Sequence, residues 1–106
     1  MSKKVFVSQP MRGLSKDGIE RQRHLALIQA ENVLGNDYEI IDSYLGEDAA
    51  NDNPIKCLAK SLELMADADI VVFAPGWEEA NGCQIEHECA VRYGKERIEL
   101  KRRSHN

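Results

Sequence analysis

The sequence predicts an α/β domain built on a small parallel sheet in strand order 2-1-3-4, with room for a fifth strand. Three observations predict it. Strand-like runs alternate with helix-like periods along the whole chain, giving a βαβαβαβ order whose crossovers are right-handed and leave helices on both faces. Ile70 to Phe73 is an unbroken apolar run rich in β-branched residues, as expected of a parallel strand covered on both faces. No repeat, linker or low-complexity segment divides the 106 residues, so 1–106 is one domain, burying roughly 65% of its unfolded-chain surface.

The elements follow in order. Lys4 to Ser8 reads as the first strand, and Ile19 to Leu34 as a helix with Ile19, Ala26, Leu27, Ala30, Val33 and Leu34 on one face. Gly35 ends that helix, Tyr38 to Asp42 is the second strand, and Gly46 to Asn53 is a polar loop. Asn53 and Pro54 start a second helix with Pro at its first position, and Ile55, Leu58, Leu62 and Met65 make its apolar stripe. Asp69 to Ala74 is the third strand, which Pro75 and Gly76 stop. Asn81 is suited to cap a last helix from about Gly82 to Tyr93 that buries Ile85, Cys89 and Ala90. Gly94 ends it, and Arg97 to Leu100 forms a final short strand.

Composition narrows the function. Hydrophobic content of 42% and charged content of 30% are ordinary for a soluble protein, and no apolar run reaches the ~20 residues of a membrane span. Met1 to Lys4 leads directly into Val5 without a signal peptide's apolar region, so a cytoplasmic location is expected. The three cysteines, Cys57, Cys83 and Cys89, have no paired spacing, which argues for free thiols and against a disulfide framework or structural zinc. A net charge of -4 disfavours a nucleic-acid polymer as partner, and Lys101 to Arg103 reads as a solvated tail. No metal or cofactor is expected.

In parallel sheets ligands bind beyond the carboxyl ends of the strands where strand order reverses, here between the first and third strands. Two loops meet there. The first runs Ser8, Gln9, Pro10, Met11, Arg12 and Gly13, and offers a hydroxyl, a guanidinium suited to bidentate phosphate recognition, and a glycine that frees backbone amides. Arg12 also reads as a solvent-facing residue beside a helix start, and neither a dinucleotide fingerprint nor a P-loop occurs. The second loop carries Gly76, Trp77, Asn81 and Gly82, with Glu86 beyond it near a positive helix end that biases a carboxylate towards ionisation. Glu86 is a candidate reactive group or a dipole-stabilising residue; Trp77 either stacks on a ligand base or caps the core. His87 and Glu88 do not complete H-E-x-x-H, because Val91 stands where the second His belongs.

Val5 to Gly13, Ala68-Asp69, Asn81 to Ala90 and Gly94-Lys95 together resemble the nucleoside 2-deoxyribosyltransferase superfamily, over nearly the whole chain. The resemblance implies a flavodoxin-like three-layer fold. The superfamily's signature runs A-D, an apolar strand, G-T-x-x-E-x-G-x-A and then G-K, and Gly82, Glu86, Ala90 and Gly94-Lys95 match it. Glu86 is thereby implied as the nucleophile. The Arg12-Gly13 pair is similar to the branch that hydrolyses deoxynucleoside 5'-monophosphates. The chain departs from the pattern where Ser61 and Ala80 stand at positions of two Asp residues that help protonate and orient the base, and where Cys83 replaces Thr. Lys60, Glu63 or Asp67 would then have to serve.

The resemblance therefore implies two functions of different class. One is N-glycosidic cleavage or deoxyribosyl transfer on a nucleoside or its 5'-monophosphate, with Glu86 attacking C1' and Ser8, Gln9, Met11, Arg12, Gly13, Ser61, Gly76, Trp77, Asn81 and Gly82 shaping the substrate site. The other is a non-catalytic pocket that binds or sequesters a nucleotide-like molecule. Superfamily members complete their sites across a subunit interface, which implies a homodimer or higher homo-oligomer.

Overall fold

A computed structural model of the protein describes residues 2–10, 13–35, 37–42 and 53–101. Among the described residues four strands, β1 (Lys3–Ser8), β2 (Tyr38–Ile40), β3 (Ile70–Phe73) and β4 (Glu96–Glu99), form one sheet in the order β2-β1-β3-β4. Every pairing is parallel. The helices among the described residues are α1 (Lys16–Leu34), α2 (Pro54–Ala66) and α3 (Asn81–Arg92), with a single 3-10 turn at Trp77–Glu79 before α3. This is the expected flavodoxin-like α/β arrangement.

Strand alternation divides the core in two. Val5, Val7, Ile70, Val72 and Ala74 pack against Ala26, Leu27 and Ala30 of α1, whereas Phe6, Val71 and Phe73 pack against Met65 of α2 and Ala90 of α3. The sheet is thus the middle of three layers. Val5, Phe6, Val7 and all of β3 are buried, each such side chain contributing about 1.5–3 kcal/mol of transfer free energy.

Local chemistry sets the element ends. Ser15 caps α1, its hydroxyl accepting from the Gly18 N–H at 3.2 Å, so the helix begins a turn before the apolar stripe that betrays it in the sequence. Asn53 caps α2 in the same way through the Lys56 N–H at 3.1 Å, with Pro54 at the first helical position. Asp69 clips the start of β1: its N–H donates to the Lys4 carbonyl and its carboxylate accepts from the Lys4 N–H, both at 2.8 Å. Lys95 Nζ donates to the carbonyls of Ala66, at 2.8 Å, and Ala68, satisfying the end of α2.

Several expectations need correction. β2 is three residues rather than five because its pairing with β1 runs only from Lys3 to Val5, with one further bond from Ile41 N–H to the Val5 carbonyl at 2.8 Å. Of the α2 stripe, Met65 is buried and Leu58 and Leu62 are half-buried, but Ile55 is 79% exposed on the helix's first turn. Val33 is 68% exposed at the far end of α1. Most of the Gly46 to Asn53 loop, and Arg102 and Arg103 of the basic tail, lie outside the described residues. Among the described residues no helix is long and apolar enough to cross a membrane.

Candidate functional site

Parallel register lines up three side chains across the carboxyl end of the sheet, with Ser8 of β1 beside Phe73 of β3 and Phe73 beside Glu99 of β4. All three lie on the α3 side. The chain reaches α3 through a tight reversal: Gly76 adopts φ +93°, a left-handed conformation that a Cβ would strain, and the 3-10 turn Trp77–Glu79 follows. Gln84 of the first turn of α3 donates from its side chain to the Glu78 carbonyl, tying helix to turn.

That geometry brings two consecutive residues of α3 onto the row. Ser8 Oγ donates to Glu86 Oε1 at 2.6 Å inside the protein. His87 reaches Glu99 through Nε2, meets the ring of Phe73 edge-on at 5.0 Å between centroids and stacks on Trp77 at 4.3 Å. Two polar couples thus flank Phe73, one above β1 and the other above β4.

The Glu86 couple is buried. Glu86 is only 6% exposed, and burial pushes its carboxyl up from 4.5 to about 7, against the opposing hydrogen bond from Ser8. This corrects the expectation that a helix terminus keeps it ionised. Glu86 is the sixth residue of α3, beyond the first turn where the helix field acts, and desolvation dominates. Cys83, buried beside it, is pushed to about 11 by burial and by the Glu86 charge, with a Ser8 hydrogen bond opposing, so it stays a neutral thiol at physiological pH. On the other side, the His87 hydrogen bond holds the Glu99 carboxyl below its ordinary range.

No family model, curated protein or solved structure matches this chain. What the site can do follows from its own geometry.

The structure gathers some of the expected site residues and sets others apart. Ser8 and Glu86 are bonded, and Gly76 and Trp77 form the adjacent turn. Trp77 packs on Phe73 at 5.3 Å and has His87 on a face, so it caps the core; its buried Nε1 has no partner among the described residues. Gln9 is buried and engaged with α1, donating to the Ile19 carbonyl at 3.0 Å and Gln22 at 3.1 Å while accepting from Arg23 Nε at 3.3 Å. Asn81 is the first residue of α3 rather than its cap; Ala80 holds the cap position with no side-chain bond. Gly82 lies exposed where a Cβ would meet nothing within 4 Å, and Gly13 is exposed at φ +81°. Ser61 is half-buried on α2 and shares no hydrogen bond with the Glu86 couple. Met11 and Arg12 lie outside the described residues.

The buried face of α3 is Cys83, Glu86 and Ala90, not Ile85, which is 44% exposed; Cys89 is half-buried. Apolar spacing through Ile85 and Cys89 turns the expected face away from Glu86, because it does not count an ionisable residue as buried. The spacing of Cys83, Glu86 and Ala90 at i, i+3 and i+7 is the signal that identifies the true face. The His87–Glu99 couple was missed because it needs the β3–β4 register. Among the described residues no three His, Cys, Asp or Glu side chains are placed to hold a metal ion.

Proposed function

We propose that this protein breaks the N-glycosidic bond of a nucleoside or nucleoside 5'-monophosphate, by hydrolysis or by transfer of the deoxyribosyl group, with Glu86 as nucleophile. The observation that carries the reading is a carboxylate 6% exposed, at the carboxyl edge beside the β1–β3 switch and fixed by Ser8 at 2.6 Å. A fixed, poorly solvated carboxylate is suited to attack C1' as the base departs, and the resulting glycosyl ester is open to water or a second base. Its pKa of about 7 leaves a useful ionised fraction at neutral pH.

A panel of deoxynucleosides and their 5'-monophosphates tests the reading. Purified protein should release free base from at least one member, and Glu86→Gln should lower release by at least 10³-fold with the fold retained. Full activity in that variant would remove Glu86 as nucleophile. The half-protonated state of Glu86 near neutrality and the non-acidic Ser61 and Ala80 favour a second reading, a pocket that binds a nucleotide-like molecule without turnover. Absence of release combined with ligand-induced thermal stabilisation would select it.

The protein also acts, on this reading, as a homodimer or higher homo-oligomer. In support, Tyr93, 84% exposed, borders a hollow of about 250 Å³ between α2 and α3 that is also lined by Leu62, Met65 and Cys89.

A further inference from the structure

We infer that His87, held by Glu99, is the proton donor to the departing base. This rests on the N-glycosidic reading and adds to it the group that such a reaction needs opposite its nucleophile. Ser8, Phe73 and Glu99 are register partners on successive strands β1, β3 and β4, so Glu86 and His87 are anchored two strand spacings apart, roughly 10 Å. Phe73, itself wholly buried, separates the two couples. A sugar carbon next to Glu86 and a ring nitrogen of the attached base towards His87 fit that separation.

The imidazole is built for the role. Nε2 is engaged by the Glu99 carboxylate, which fixes the ring and leaves Nδ1 as its outward nitrogen. Nδ1 has no hydrogen-bond partner among the described residues, and the side chain is 21% exposed, so a ligand can reach it. Trp77 on one face and the edge contact with Phe73 leave the ring little rotational freedom. The charged groups on the elements packed against it are Glu96, Arg97 and Glu99 of β4, Glu86, Glu88 and Arg92 of its own helix, and Glu78 and Glu79 of the turn. Of these, Glu99 is the one bonded to the ring, and Arg97 lies 3.6 Å from the same Glu99 oxygen.

The chemistry balances. Glu86 forms a bond from a carboxylate oxygen to C1', the C1'–N bond breaks with its electron pair passing to the base, and the proton on His87 Nδ1 neutralises that base. Water then attacks C1', releasing the Glu86 carboxylate, and its proton returns to His87. The end products are free base and free sugar, with both side chains restored.

The test pairs substrates by leaving group. 2'-Deoxyguanosine and 2'-deoxyuridine need the base protonated, whereas 7-methyl-2'-deoxyguanosine leaves as a neutral base unaided and 5-fluoro-2'-deoxyuridine needs less help. His87→Gln should lower kcat/KM on the ordinary member of a cleaved pair by 10²–10⁴-fold, change the activated member far less, and erase the alkaline limb of the pH profile. Glu99→Gln, which keeps a hydrogen-bond partner but removes the charge, should lower kcat/KM on the ordinary member by a smaller factor than His87→Gln does and again spare the activated member. Equal losses on both members, or an alkaline limb that survives in His87→Gln, would overturn the inference while leaving Glu86 as nucleophile. Wild-type protein that releases base from none of the four, and from no other deoxynucleoside or 5'-monophosphate of the panel, would overturn the N-glycosidic reading and the inference with it.

Discussion

Glu86 costs the protein stability whenever it is charged, because its carboxyl is buried and titrates near 7 instead of 4.5. The sign is fixed by linkage: between those values the native state binds more protons than the unfolded chain, so stability falls as pH rises through that window. The full cost above pH 7 is at most roughly 3–4 kcal/mol, using 1.36 kcal/mol per unit. Glu86→Gln keeps an acceptor for Ser8 and removes the charge. Its melting temperature should therefore match wild type near pH 4.5 and exceed it by several degrees at pH 8; a difference that does not change with pH would contradict the buried-charge account. At this scale the sequence was partly legible. Ser8 and Glu86 could be named from their places at two loops, but not as partners, since 78 positions separate them and only the fold closes that gap.

At the level of elements, legibility depended on whether apolar spacing was the true cause of placement. β3 is all apolar and was placed to within a residue at each end, whereas α3 buries an ionisable residue on its inner face and was rotated. α1 was shortened at its start because its first turn is specified by the Ser15 cap and not by hydrophobic spacing. The β3-to-α3 reversal is the element on which the site depends most, for it sets the height and phase of Glu86 and His87 together. Gly76→Ala forces a Cβ into φ +93° and should cost about 1–2 kcal/mol. For a domain of this size that is a fall of roughly 4–16 °C in melting temperature. A thermal melt unchanged from wild type would show that the reversal tolerates a different backbone.

For the whole molecule, strand order was readable because alternating elements and right-handed crossovers leave few parallel arrangements. Oligomeric state was not, because exposed apolar side chains such as Ile55, Tyr93 and Val91 are also normal on a monomer. Light scattering at micromolar concentration should give at least twice the 12.0 kDa chain mass. A stable monomer that still binds ligand would exclude a shared site. The unequal standing of the strands has a kinetic consequence. β3 is paired on both sides and wholly buried, while among the described residues β4 pairs with β3 alone and is mostly exposed. In deuterated water the β3 amides should then exchange only when the entire domain opens, and those of β4 much sooner, through local fraying. Glu99 travels with that frayed edge, so mild denaturant should release His87 from its carboxylate while Ser8 still grips Glu86.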